Sequence, residues 1–266
     1  ARLRTGRFQI RVLGGPPKIE MLEEFQVYIV NLKQSTERRK SILIELEKQN
    51  INNFKFIDAV DGKNISKNDL AKCVFDNEKK YNSWGQKLTL SQIGCALSHI
   101  KIYKDFIKSK KSYALILEDD AVFLKNFTID LQNFIIKNFK FKKQILLLSE
   151  LKEFYKKPVD SIENYEIVEV TNAFFTHAYV INKEAAKSII KFNFPIKTVA
   201  DNFVYFKIYC KIKLTGLNPF LLNQDKKNFN TTIDLWQENQ KKFLLRRFLY
   251  KFKNKILKRF IKFSGH

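Results

Sequence analysis

Three consecutive carboxylates, Glu118, Asp119 and Asp120, follow directly on the apolar run Tyr113-Ala-Leu-Ile-Leu117. Side chains on a strand alternate between faces. If the strand runs on through the acids, Glu118 and Asp120 share one face and Asp119 takes the other. Two carboxylates on one side of a strand end suit a hard divalent cation, which takes oxygen ligands and often bridges acids to substrate phosphates. The ion would also relieve the repulsion between the acids. A solvated turn whose acids cap a helix is the competing reading of these three residues.

Three other groups carry polar residues where chemistry is possible. In "VNLKQSTERR", Asn31 ends an apolar run, and Arg38 and Arg39 enter a helical pattern able to grip an anion or to lie solvated on its face. In "LSQIGCALSHIKIYK", Gly94 interrupts a helical pattern at a cost of about 1 kcal/mol relative to Ala, which close approach of a backbone or ligand would justify. His99 lies in the same segment. In "VADNFVYF", Asp201 sits between apolar neighbours; a buried Asp needs a partner or a function, and a helix N-cap is the alternative.

These residues must be held by regular elements. "FQVYIVNL" (25–32), "YALIL" (113–117) and "QILLLS" (144–149) read as buried strands. "NFKFIDAV" (53–60), "YEIVEV" (165–170) and "HAYVIN" (177–182) read as further strands. Helices are expected over 36–50, with Ile42, Leu43 and Leu46 on one side, over 88–111 with Thr89 or Ser91 as cap, and over 183–192. Strands alternating with helices predict an α/β architecture with a mostly parallel central sheet flanked by helices. In such sheets ligands bind beyond the carboxyl ends of the strands. Asn31, Asp58 with Asp61, and the Glu118–Asp120 group all stand at such ends.

The chain has 266 residues and a formal net charge of +22, which predicts an anionic partner. The charge is concentrated at one end: residues 241–266 hold ten Lys or Arg and no acid. Leu245, Leu249, Phe252, Ile256, Phe260 and Phe263 recur there at helical spacing. A basic amphipathic helix of this kind reads as an interfacial membrane binder or as a helix docked on protein. No apolar run reaches about 18 residues, so no transmembrane helix is predicted. The cysteines Cys73, Cys95 and Cys210 lack C-x-x-C spacing, and a reducing, cytoplasmic setting fits them. Residues 1–20, Arg-rich and ending near Gly-Gly-Pro-Pro, are expected to be a non-native or flexible leader before Met21. The main domain is expected over 21–232 and the basic helical tail over 233–266.

Taken in order, "VYIVNLKQSTERR", "FIDAVDGKN", "LTLSQIGCALSHIKIYK", "ALILEDDAVF", "THAYVINKEAAKSII", "VADNF" and "NPFLLNQ" resemble glycosyltransferase family 25 over residues 25–225. Its members include bacterial lipooligosaccharide sugar transferases and relatives that act on collagen. One departure is visible: Ser91-Gln92 stand where the family often shows Gly-Glu. The resemblance implies a GT-A, Rossmann-like fold, a nucleotide-sugar donor (commonly UDP-galactose), a lipooligosaccharide or LPS core acceptor, and inversion at the anomeric carbon. It also implies that Glu118-Asp119-Asp120 serves as the D-x-D metal motif for Mn²⁺ or Mg²⁺.

On that basis Asp120, supported by Glu118 and Asp119, is expected to hold the metal that neutralises the leaving diphosphate. Asp201 is the first choice for the base that takes the acceptor proton. Asn31, Leu32 and Arg38 are expected at the nucleotide, with Asp58 near the uridine and Ser98 and His99 beside the donor pocket. The expected setting is the cytoplasmic face of a bacterial inner membrane, reached through 241–266. Another UDP-sugar such as UDP-glucose, a folded pseudoenzyme, and a basic nucleic-acid binder are the alternatives. No recognised nucleic-acid motif supports the last.

Overall fold

Alternation of apolar residues builds the sheet. In β1 (Phe25–Asn31), Tyr28 and Val30 face one core while Phe25, Val27 and Ile29 face another. In β3 (Tyr113–Glu118), Ala114 and Ile116 pair with the first set, and Leu115 and Leu117 with the second. Strands apolar on both faces need cover on both sides. The computed structural model describes residues 24–75, 87–174, 176–225 and 228–229. The leader over 1–20 and the tail over 233–266 lie outside them.

The helix α1 (Thr36–Lys48) and the helix α4 (Ile129–Lys137) cover one face. The helices α3 (Leu90–Lys108), α5 (Lys183–Asn193) and α6 (Phe203–Tyr209) cover the other. The short helix α2 (Lys67–Cys73) links β2 (Phe54–Asp58) to the segment before α3. Thr89 caps α3 through a reciprocal pair with Gln92: Gln92 N donates to Thr89 Oγ1 at 3.2 Å, and Thr89 N donates to Gln92 Oε1 at 3.0 Å. Gln92 therefore has a local task. In α1 the expected stripe shifts: Ile42 and Leu46 are fully buried, but Leu43 is 38% exposed, and Glu45 takes the third buried place.

The remaining strands are β4 (Ala121–Phe123), β5 (Gln144–Leu147), β6 (Glu153–Phe154), β7 (Asp160–Ile162), β8 (Tyr165–Asn172), β9 (Ala178–Asn182), β10 (Lys213–Asn218) and β11 (Leu222–Gln224). The main sheet runs β2-β1-β3-β9-β5-β10-β8-β6, with β7 also on β8. β1 is parallel to β2 and to β3, and β5 is parallel to β10. Among the described strands of this sheet, only β9 and β8 run against the rest. The mixed α/β architecture with a mostly parallel sheet is thus as expected.

Two features of this topology position a site. The chain leaves β1 for β2 on one side and returns to β3 on the other, a reversal that opens a crevice beyond the ends of β1 and β3. Because β9 is antiparallel to β3, with Leu117 opposite Ala178, the beginning of β9 lies at the same end. A small second sheet pairs β4 with β11.

Candidate active site

Asn31, the last residue of β1, reaches across the crevice and donates from Nδ2 to Asp119 Oδ2 at 2.8 Å. From the first turn of α1, the Arg38 guanidinium donates to Asp119 Oδ1 at 2.9 Å and to Asp120 Oδ2 at 3.0 Å. Its guanidinium carbon lies 5.3 Å from the centre of the Phe229 ring. Gln224, ending β11, donates from Nε2 to Asp120 Oδ2 at 3.0 Å, and the Asp225 amide donates to the Asp120 carbonyl at 2.8 Å. The acids therefore lie where the strand turns, between β3 and β4.

The turn sends Asp119 one way and keeps Glu118 and Asp120 together around His177. His177 Nδ1 is 2.9 Å from Glu118 Oε2 and 3.6 Å from Asp120 Oδ1. Thr176 Oγ1 donates to Glu118 Oε1. From α3, His99 brings Nε2 to 3.8 Å from Glu118 Oε1, too far for a hydrogen bond. Its Nδ1 is 2.7 Å from the Tyr179 hydroxyl, which is 2.7 Å from the Tyr103 hydroxyl.

The electrostatics separate the three acids. Burial acts to raise the Glu118 carboxyl, but the hydrogen bond from His177 and the two nearby imidazoles outweigh it and hold Glu118 far below the usual carboxylate range. Burial pushes Asp120 upward, and so does the Glu118 charge. Burial also pushes Asp119 upward, outweighing Asn31 and Arg38. Two carboxylates of unequal affinity for protons thus share one buried corner.

The residues at this corner fit a divalent cation. Ligand atoms of Glu118, Asp120 and His177 lie within 4.8 Å of one another. Asp120 Oδ1 is buried and has no hydrogen-bond partner among the described residues, an orphan that a cation would satisfy. Carboxylates suit Mg²⁺ and Mn²⁺, and an imidazole nitrogen favours the transition ion. Asp119 stands outside this group, its two oxygens turned to Asn31 and Arg38.

Other expected residues are distributed unevenly. Ser98 is buried and occupied: it accepts from the Val60 amide at 2.8 Å and donates to the Gly94 carbonyl at 2.7 Å. It ties the loop after β2 to α3. Gly94 serves the same junction, since a Cβ there would lie 2.4 Å from the Val60 carbonyl oxygen and 2.6 Å from the Gly62 nitrogen. Asp58 is exposed, opposite Asn31 in the β1–β2 register. Leu32 is half-buried, and its carbonyl accepts from the Ser35 amide in the turn into α1. Asp201 precedes α6, whose N-cap is Asn202. Its charge and that of Glu118 both act on the Cys95 thiol, which burial chiefly drives well above its ordinary value.

The sequence pattern alone assigns no role to Thr176, His177 or Gln224. The available signal was scarcity: the chain has three histidines, and two of them converge on Glu118.

The pattern of glycosyltransferase family 25 (LPS biosynthesis protein) matches residues 25–204. The chain belongs to glycosyltransferase family 25. Procollagen galactosyltransferase 2 of Homo sapiens is 27% identical over 211 residues, covering 77% of this chain and 33% of the human protein. A putative glycosyltransferase of Haemophilus influenzae is 28% identical over 212 residues, covering 74% of this chain and 70% of that protein. The inactive glycosyltransferase 25 family member 3 of Mus musculus is 28% identical over 114 residues, covering 42% of this chain and 19% of the mouse protein. The chain spans a third or less of the length of the procollagen-directed relatives. Within the family 25 match lie Asn31, Arg38, the three acids, Thr176, His177 and Asp201; Gln224 lies beyond it.

Proposed function

We propose that this chain is an inverting hexosyltransferase that moves a sugar, galactose first among candidates, from a UDP-sugar to a lipooligosaccharide or LPS core hydroxyl. The observation that carries this reading is the corner formed by Glu118, Asp120 and His177, with Asp120 Oδ1 buried and unpartnered. Family membership supports the reaction class, and the galactosyltransferase name of the human relative supports the donor.

Glu118, Asp120 and His177 would hold Mn²⁺ or Mg²⁺. When bound, such an ion supplies Lewis-acid neutralisation of charge on the leaving diphosphate. The remaining work falls to the protein. Glu118 stays ionised because His177 and Thr176 bind its two oxygens. Arg38, paired with Asp119 and Asp120, would place positive charge beside the metal corner, where a diphosphate needs it. Asn31 Oδ1 is buried without a hydrogen-bond partner among the described residues, and it would accept from a donor on the nucleotide. Asp201, which precedes α6, would take the proton of the acceptor hydroxyl. Direct displacement inverts the anomeric centre, so no enzyme nucleophile is required. Holding both sugars in line supplies the entropic part of the acceleration.

We further propose that residues 241–266 bring the protein to the cytoplasmic face of an inner membrane, where such an acceptor is embedded. Each basic residue near an anionic surface would add on the order of 1 kcal/mol. Equal liposome flotation with and without 241–266 would reject that role.

The central experiment is release of UDP from a panel of UDP-sugars, with and without Mn²⁺ and an oligosaccharide acceptor. Metal-dependent release from UDP-galactose is expected, and Asp201→Asn should lose turnover while retaining UDP binding. Turnover that survives in Asp201→Asn assigns the base elsewhere. The inactive mouse relative favours one second reading, a folded family member that binds without transferring. UDP binding without release from any UDP-sugar would identify that case.

A further inference from the structure

Behind the corner described above, a second group converges on Glu118. Ligand atoms of Cys95, His99 and Glu118 also lie within 4.8 Å of one another. His99 is 1% exposed, and its Nε2 has no hydrogen-bond partner among the described residues. That nitrogen is aimed at the gap, 3.8 Å from Glu118 Oε1. A buried imidazole nitrogen without a partner is costly unless something satisfies it.

We propose that Cys95, His99 and Glu118 form a site for a thiophilic divalent cation of the Zn²⁺ type, distinct from the Glu118–Asp120–His177 corner and sharing one carboxylate with it. This inference does not depend on the transferase reading.

The ligand chemistry separates the two sites. One nitrogen, one sulfur and one oxygen donor make a set that Zn²⁺ accepts and Mg²⁺ does not. Zn–ligand bonds of about 2.0–2.3 Å put tetrahedral ligand atoms on the order of 3.5 Å apart. The 3.8 Å between His99 Nε2 and Glu118 Oε1 is already near that value. Three protein ligands would leave the fourth position to water.

The surroundings of His99 suit a metal ligand. A ligating histidine characteristically uses its second ring nitrogen to donate to a fixed acceptor, which sets the tautomer and the ring plane. His99 Nδ1 has such a partner in the Tyr179 hydroxyl, itself fixed by Tyr103. With the proton on Nδ1, Nε2 presents its lone pair to the gap. On binding, the Cys95 thiol proton passes to solvent and the thiolate binds the ion.

The test uses Co²⁺ as a spectroscopic stand-in for Zn²⁺. The full-length protein loaded with Co²⁺ should show a sulfur-to-cobalt charge-transfer band in the near-ultraviolet. Zn²⁺ should abolish the band by displacement. Cys95→Ser should lose it, while Cys73→Ser and Asp120→Asn should keep it. Absence of the band in the unsubstituted protein, or its persistence in Cys95→Ser, overturns the proposal. A measurement on the unsubstituted protein guards against misfolding of the variant. Alkylation of Cys95, followed by peptide mapping, should slow when Zn²⁺ is added; an unchanged rate also overturns it.

Discussion

The Arg38 guanidinium lies 2.9 Å from one oxygen of Asp119, and Asn31 holds the other oxygen at 2.8 Å. Both oxygens of this acid are thus spent on neighbours from β1 and α1, while Asp120 keeps one oxygen unpartnered. Adjacent residues of one chemical type have been given different work by a single turn.

Removal of Arg38 should therefore cost more than a surface charge would. Its side chain is 11% exposed and it bridges two buried carboxylates. Breaking a buried pair from one side costs about 3 kcal/mol or more. Arg38→Ala should lower the urea midpoint accordingly. Arg38→Lys should recover only part of the loss, since an ammonium cannot fork across two acids as a guanidinium does.

The two aspartates should separate in a metal titration. Asp120→Asn should lose Mn²⁺ binding by electron paramagnetic resonance, and Asp119→Asn should retain it. In the unsubstituted protein, Mn²⁺ at about 100 times its Kd should raise stability by about 2.7 kcal/mol. That increment should vanish in Asp120→Asn.

Gly94→Ala should destabilise, against the ordinary helix trend. Alanine gains about 1 kcal/mol over glycine in an open helix interior. Here the new methyl would meet the backbone of Val60 and Gly62, which has no side-chain rotamer to move. Overpacking of this kind costs about 1–3 kcal/mol, so the clash prevails. Urea unfolding of the variant should show a net loss.

Acid stability should depend on Glu169. On β8 it accepts from Lys207 at 3.1 Å and from Lys213 at 2.7 Å. Burial acts to raise its carboxyl, but the two lysines outweigh it and hold the group below the ordinary 4.5. A depressed carboxylate contributes stability that is present above its unfolded value and lost as pH falls toward the folded one. Unfolding followed from pH 7 downward should therefore show a loss below about 4.5 that is smaller in Glu169→Gln.

Much of the frame was legible because apolar runs mark buried strands whatever their order. β1, β3, β5, β8, β9, α1, α3 and α5 lie where their patterns put them. β10 and α4 were not anticipated. β10 mixes Lys, Thr, Gly and Asn with its leucines, so its burial depends on neighbours rather than on its own pattern. The acids at the end of β3 were legible as a cluster at a strand end, but the different neighbours that each of them meets were not. His177 is 59 positions from Glu118, and Gln224 is 104 from Asp120. Only strand order brings them together, and periodicity does not encode strand order. Ser98, expected by resemblance beside the donor pocket, spends its hydroxyl on holding a loop to a helix, a contact that periodicity does not encode either.

The reversed strand β9 has a consequence for motion. Glu118 ends β3 and His177 immediately precedes β9, neighbouring strands at the middle of the sheet, and the Glu118 amide donates to the His177 carbonyl at 3.0 Å. Central strands exchange their amide hydrogens only through the largest opening events. The Glu118 amide should therefore be among the slowest to take up deuterium, and the spacing of these two side chains should persist up to the temperature at which the whole sheet melts.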